Sequence, residues 1–496
     1  MTPDEFRKRG VQLIEYIARY METVQDRPVL SKADPGDTAA MLPEHPPTEP
    51  GGDSEWDRIF EDLERIVQPG VTHWQHPGFF GYFPANASGP AILGELLSAG
   101  LGVQGMLWRT SPACTEIETR MLDWMAEACD LPADFRSTSD NGGGVIQGTA
   151  SESTLIALVA ARRRVQRLGL EGEPVVYAST QAHSSVIKAA MIAGIARGQR
   201  DNERVRLIET DDTHAMRADV LAVAIERDIK AGRAPVFVCS TVGSTASTAV
   251  DPLGEIARAA RAVGFKGWLH ADGAHSGAAA VCPEHRWMLS GLDLYDSYCF
   301  NPHKQLLTNF DCDLFWTSDR STLVDALSIL PEYLRNAETE SGRVIDYRDW
   351  QIPLGRRFRA LKLWFVVRHY GIEGLRAHIR HATALASALE AKIAEDQRLE
   401  LSAPRPFNLV CFRPRPLPGE SYADTDARTA LLLDRLNCSG EVFLTHAALP
   451  AGGGEPDRIV IRAAIGGTAT RIEHVTRLWE LIDAETDRLG DGRARA

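Results

Sequence analysis

From about Pro90 to Thr317, short runs rich in β-branched and aromatic residues recur: PVVYAST, VRLIET, PVFVCST, GWLHADG and DLFWTS. The first four are separated by amphipathic stretches such as LGEIARAARAVGF. Connections long enough to hold a helix do not make hairpins. They return the chain for parallel pairing, so the alternation predicts an α/β fold in which helices cover both faces of a mostly parallel sheet. In such a sheet ligands bind at the carboxyl ends of the strands, and the residues just after each run are the first place to look for chemistry.

The flanks read differently. The opening TPDE has the form of a capping box, with Thr2 as N-cap, Pro3 at the first helical position and Glu5 reaching back. Phe6, Leu13, Ile14, Ile17, Met21 and Val24 then form an apolar stripe at helical spacing. The segment from about Asp26 to Glu55, rich in Pro, Gly and Asp, reads as an extended connection, so this helix is an arm that either folds back or clasps a second subunit. After Trp350 a long helical pattern runs to about Asp396. Strand patterns follow in FNLVCFRP, EVFLTHAAL and RIVIRAAI, with a closing helix from about Thr470 to Leu489. A chain of 496 residues exceeds what one core usually organises. The expected division is an arm over 1–85, a large domain over 86–375 and a small α+β domain over 376–496.

Composition narrows the function classes. A formal charge of −13 argues against a nucleic-acid or anionic-membrane partner and favours a small molecule. No apolar run reaches the roughly 18 residues of a membrane span, and no secretory signal opens the chain. The eight cysteines show no CxxC pairing, which points to reduced thiols and a cytoplasmic location rather than zinc or disulfides.

Five segments that end or follow such short runs carry candidate chemistry. In GWLHADGAHSG, Asp272 closes a buried strand, where a carboxylate is costly unless a cation such as a pyridinium nitrogen pairs with it; a turn cap would explain the same residue without a ligand. His270 and His275 in this segment do not make a compact metal-binding face, and no metal is expected. In GGGVIQGTASE, Thr149, Ala150 and Ser151 open a helix and offer amides and hydroxyls to a phosphate, although an ordinary cap has the same composition. Neither a P-loop nor GxGxxG is present, which weakens ATP and NAD readings. His183 follows the PVVYAST strand, where an imidazole can stack on a pyridine ring, and the hydroxyl-rich turn with Thr245 follows PVFVCST. Lys304 stands in SYCFNPHKQLLTNFDC, directly after a short apolar run.

HPGFFGYFPA, SPACTEIET, GGGVIQGTASE, QAHSSV, HADGAHSG, NPHKQLLTNFDC and DYRDWQIPLGRRFRALKLWFV occur in this order, and with them the chain resembles the group II pyridoxal-phosphate decarboxylases, most closely those acting on aromatic L-amino acids. The resemblance implies a type I fold with a seven-stranded sheet, a homodimer with the arm wrapped on the partner, and pyridoxal 5′-phosphate as cofactor. It makes Lys304 the Schiff-base lysine, Asp272 the partner of the ring nitrogen and His183 the stacked ring, with Thr245 and Ala274 packed around the cofactor. Thr149, Ala150, Ser151, Asn301 and His303 take the phosphate. Trp74, Tyr82, Phe83 and Pro84 wall the substrate pocket. Gly355 leaves room for an indole, while Gln104 and Met106 depart from the more apolar pattern of the animal enzymes and leave the rank order of tryptophan, DOPA, tyrosine and phenylalanine open. Tyr333, in a mobile loop at about 328–342, corresponds to the residue that delivers a proton to the α-carbon. Relatives that run oxidative deamination tend to replace that tyrosine or the histidine over the ring. The expected activity is decarboxylation of aromatic L-amino acids to arylalkylamines. Its rivals are an aromatic aldehyde synthase, an aminotransferase, a histidine or glutamate decarboxylase, and a cofactor-free binding protein on the same fold.

Overall fold

The structure, a computed structural model, describes residues 1–329, 344–452 and 455–491. Seven strands form the central sheet: β1 (Gly143–Gln147), β2 (Pro174–Ser179), β3 (Val205–Ile208), β4 (Ala234–Thr241), β5 (Trp268–Asp272), β6 (Ser297–Phe300) and β7 (Asp313–Thr317). Their spatial order is β1-β7-β6-β5-β4-β2-β3. The pairings from β3 to β6 are parallel, whereas β7 runs antiparallel to both β6 and β1. The α/β expectation therefore holds, with one strand reversed. SYCF, read from sequence only as an apolar run, is β6; four residues are too few for a periodic signal, and its identity comes from lying between β5 and β7.

Burial explains the composition of these strands. β1, β4, β5, β6 and β7 are buried throughout, as expected of a sheet with helices on both faces. Two cores result. On one side Leu269, Ala271, Tyr298, Leu314 and Trp316 join Met121, Met125 and Leu363. On the other Val176, Ala178, Phe237, Trp268 and Phe315 pack on the helix Ala150–Arg167 through Ile156, Ala157 and Ala160. A buried ion pair ties β1 to the segment before the long helix. Arg356 Nη2 donates to Glu118 Oε1 at 2.7 Å and to the Ile146 carbonyl at 2.9 Å, while Glu118 accepts the Ile146 amide at 2.8 Å.

A second sheet, antiparallel throughout, comprises β8 (Leu399–Leu401), β9 (Leu409–Pro414), β10 (Thr445–Leu449) and β11 (Arg458–Ala464) in the order β10-β11-β9-β8. The helix Arg359–Glu395 leads into it, breaking at Gly371, whose φ of 63° and ψ of 172° suit a residue without Cβ. The three-residue β8 gave no sequence signal, and β10 starts four residues later than its apolar run.

At the N-terminus the capping box forms. Thr2 accepts the Glu5 amide at 3.2 Å, and the Thr2 amide donates to Glu5 at 2.6 Å. The helix Pro3–Thr23 leaves Phe6, Leu13, Ile14 and Met21 exposed, and of the apolar stripe only Val24, just past the helix end, is buried. The connection that follows is not wholly extended, since Asp37–Ala40 is helical. No helix among the described residues is long and apolar enough to cross a membrane.

Candidate active site

The carboxyl ends of β2, β4 and β5, the N-terminus of the helix Ala150–Arg167 and the short helix Pro302–Gln305 after β6 enclose a cavity of about 200 Å³. All ten residues expected to surround a cofactor line it: Thr149, Ala150, Ser151, His183, Thr245, Asp272, Ala274, Asn301, His303 and Lys304. Its neighbour, of about 490 Å³, is walled by Trp74, Tyr82, Phe83 and Pro84 and shares His183, Thr245, His303 and Lys304 with it. Trp74 and Tyr82 stack at 5.6 Å between centroids, 10° from parallel. A cofactor-sized space thus opens onto an aromatic one, with Lys304 bordering both.

Asp272, at the last position of β5, is buried; its Oδ1 accepts the Ala274 amide at 2.9 Å, and its Oδ2 makes no hydrogen bond among the described residues. Burial lowers the pKa of the Lys304 ammonium, an effect that Asp272 and Asp313 oppose. Burial likewise depresses His183, whose Nδ1 accepts the Ser185 amide at 3.2 Å, so the ring is neutral with its proton on Nε2. His303 is pushed down to about 3 by burial; its Nδ1 lies 3.0 Å from the Cys312 amide nitrogen and 2.8 Å from the carbonyl oxygen. When Nδ1 accepts the amide, Nε2 remains a donor.

These residues fit pyridoxal phosphate. Thr149 is the N-cap of its helix, yet its hydroxyl makes no capping bond; the Glu152 and Ser153 amides are taken by the Thr149 carbonyl, which leaves the Ala150 and Ser151 amides and the hydroxyls for a phosphate. The Asn301 side-chain oxygen is buried without a partner among the described residues, and Asp272 keeps one oxygen for a ring nitrogen. The cradle that looked from sequence like an ordinary cap is therefore not closed on itself.

Three expected substrate residues stand elsewhere. Gln104, Met106 and Gly355 line neither cavity and form their own cluster. Gln104 Oε1 accepts the Arg356 amide at 2.5 Å, the Met106 carbonyl accepts the Arg348 amide at 3.1 Å, and a Cβ on Gly355 would sit 3.1 Å from Gln104 Nε2. Tyr333 and nearly all of the expected loop lie outside the described residues. Conversely, Thr241, His275, Phe310 and Arg462 line the cavities without having been singled out as site residues. Arg462 is a charge in an otherwise apolar strand pattern, the one available signal. It reaches in from β11, donates to the Thr245 carbonyl at 2.6 Å and lies 5.2 Å from the Phe83 ring centroid.

Beneath the cavity floor, His270 yields a pH prediction. Ser297 Oγ accepts Trp268 Nε1–H at 2.7 Å and lies 2.8 Å from His270 Nδ1. Burial puts the imidazole pKa at about 4, below the ordinary 6.5. From about pH 6.5 down to about 4 the unfolded chain binds a proton that the native ring refuses, so this group's contribution to stability falls with pH, by about 2 kcal/mol at pH 5. His270→Gln should therefore lose about 2 kcal/mol less unfolding free energy than the parent chain between pH 7.5 and 5 in urea titrations. Identical pH dependence in the two chains would refute the assignment.

A family model described as the pyridoxal-dependent decarboxylase conserved domain matches residues 35–415. Phenylacetaldehyde synthase of Arabidopsis thaliana is 44% identical over 99% of this chain and 97% of its own length. The aromatic-L-amino-acid decarboxylase of Bos taurus is 42% identical over 97% and 96%. Oryza sativa TDC, solved with PLP and tryptamine, superposes with a TM-score of 0.93 at 37% identity, covering 99% of both chains. The chain belongs to the pyridoxal-dependent decarboxylase family, in its aromatic amino acid decarboxylase branch, and is an enzyme that uses pyridoxal phosphate.

Proposed function

We propose that the enzyme decarboxylates aromatic L-amino acids to arylalkylamines and carbon dioxide. The observation that carries this reading is the aromatic cavity of Trp74, Tyr82, Phe83 and Pro84, which shares Lys304 and His183 with the cofactor cavity. A flat apolar side chain fits such a wall. When bound, pyridoxal phosphate supplies an electron-accepting ring conjugated to the substrate α-carbon. Asp272 then keeps a proton on the ring nitrogen, His183 covers one ring face, and Thr149, Ser151, Asn301 and His303 hold the phosphate. Low dielectric around Lys304 favours the free amine that attacks a carbonyl. Tyr333 takes the role of proton donor to the α-carbon, on the resemblance alone.

A homodimer belongs to the same reading. The exposed stripe of the arm needs a cover, and Gln104, Met106 and Gly355, which line neither cavity of their own chain, would complete those of a second copy. Sedimentation of the purified chain tests this, a monomer being the adverse result.

The 44% identity to phenylacetaldehyde synthase supports a second reading, decarboxylation with oxidative deamination, which consumes dioxygen and releases aldehyde, ammonia and hydrogen peroxide. The retained Tyr333 and His183 favour the amine. Mass spectrometry of products from tryptophan, DOPA, tyrosine, phenylalanine, histidine and glutamate, with a peroxide assay, separates the two. Arylalkylamines without stoichiometric peroxide are expected. Aldehydes as main products, or amines only from histidine or glutamate, would overturn the proposal.

A further inference from the structure

His275 lies three residues beyond β5, is 1% exposed, and borders the cofactor cavity. Its ring stacks on Phe83 with centroids 3.6 Å apart and planes 15° from parallel. Phe83, like Phe310, borders both the substrate cavity and the cofactor cavity. The Lys304 ammonium nitrogen and the Arg462 guanidinium carbon lie 5.5 and 5.2 Å from its ring centroid. The position of this ring therefore bears on cofactor and substrate space together, and the imidazole is its stacking partner.

The imidazole is itself fixed from the second sheet. Its Nε2 lies 2.9 Å from Asn408 Oδ1, and the amide nitrogen of Asn408 donates to the Ile465 carbonyl at 2.7 Å, which settles the orientation of that amide. Gln305 Nε2 lies 2.9 Å from the same ring nitrogen, so His275 Nε2 is gripped between the Asn408 oxygen and the Gln305 amide, while Nδ1 has no partner among the described residues. Burial and the nearby Lys304 and Arg462 charges hold its pKa well below the ordinary value, against the bond to Asn408. The groups facing the ring are then Phe83, Asn408 and Gln305, whose side-chain nitrogen donates to the His275 carbonyl at 3.2 Å, with Lys304 and Arg462 as the nearest cations. Neutrality matters for packing: a third cation beside Lys304 and Arg462 would be repelled by both, and a neutral ring can lie flat on Phe83 at van der Waals distance.

We propose that His275 is a specificity-determining positioning residue: stacked on Phe83 and anchored by Asn408, it sets how deep the aromatic wall stands and so discriminates an indole from a phenyl side chain. This rests on the aromatic-substrate reading above. His275 acts through Phe83 and forms no bond with substrate.

The test uses the full-length, cofactor-loaded enzyme and two non-reacting probes, indole-3-propionate and 3-phenylpropionate, whose dissociation constants are measured by calorimetry. His275→Gln and His275→Leu remove the flat ring; His275→Phe keeps it and loses the Nε2 contacts with Asn408 and Gln305. The ratio of the two dissociation constants should shift at least about 5-fold in the Gln and Leu variants and stay within about 2-fold of the parent value in His275→Phe. In a Phe83→Leu background the Gln and Leu effects should vanish, because the two residues act as one unit. An unchanged ratio in Gln and Leu, an equal shift in Phe, or a shift that survives Phe83→Leu would overturn the proposal. So would failure of both Gln and Leu variants to bind the cofactor, which would make His275 a folding residue. If the parent enzyme binds neither probe and turns over no aromatic amino acid, the aromatic-substrate reading is what has failed.

Discussion

Lys304→Ala should lower kcat/KM for every aromatic amino acid by more than about 10⁴-fold, a loss of about 5 kcal/mol of transition-state stabilisation, and abolish the yellow colour of the loaded enzyme. The chain brings a primary amine to the wall between two cavities, at the end of β6, in surroundings that disfavour its charge. Hydrogen bonding does not require a lysine there: among the described residues it bonds through its backbone, its amide donating to the Asn301 carbonyl at 3.1 Å and its carbonyl accepting Asn86 Nδ2 at 2.9 Å. The stability of Lys304→Ala should therefore stay close to that of the parent chain, and the lost activity is chemical. Lys304→Arg sharpens the test. A guanidinium keeps the charge but does not deprotonate in proteins, so a variant held only by charge would survive and one dependent on a free amine would not. We expect Arg to be as inactive as Ala. Retention of more than about one part in a hundred of the activity by either would assign the covalent role elsewhere.

The part of this site that was legible in the sequence is the part built from strand ends. Asp272, His183 and Thr245 each end or follow a run whose composition announces a buried strand, and parallel pairing brings the carboxyl ends of such strands to one edge of the sheet whatever their order, while Lys304 follows an apolar run too short to be read as one. The convergence of the first three follows from topology class alone. Arg462 is different. It arrives from the antiparallel second sheet, more than two hundred residues from the Thr245 carbonyl it binds, and no local pattern records how two sheets dock. His275 shows the same limit. Its spacing from His270 could be judged against a metal site, but its stack on Phe83 and its bond to Asn408 depend on two segments remote from it and from each other. The short strands β6 and β8 escaped for a plainer reason, since three or four residues hold no period. Gln104, Met106 and Gly355 carry substrate roles by resemblance only, and the single chain places them in a cluster of their own, around Arg356.

Asp272→Asn tests the electronic role of the cofactor partner, and about a 10³-fold fall in kcat, equivalent to about 4 kcal/mol, is expected. The replacement is nearly isosteric, and an amide oxygen can still accept the Ala274 amide that Oδ1 accepts at 2.9 Å, so the end of β5 keeps its conformation. What disappears is a negative charge in a buried place, and with it the means of keeping a proton on the ring nitrogen of the cofactor. An amide offers that nitrogen either a dipole or a donor, and a donor favours the unprotonated ring, which withdraws electrons poorly. Since the charge acts on bond breaking rather than on docking the side chain, KM should change by less than about 5-fold while kcat collapses. Asp313 provides the contrast. It is fully buried and bonded by the Ser153 hydroxyl, and burial raises its pKa well above the carboxylate range. It also borders neither cavity. Asp313→Asn should therefore leave kcat within about 5-fold of the parent value and change stability instead. Equal losses of kcat in the two variants would mean that the field of the buried carboxyl cluster, rather than one carboxylate aimed at the ring, activates the cofactor.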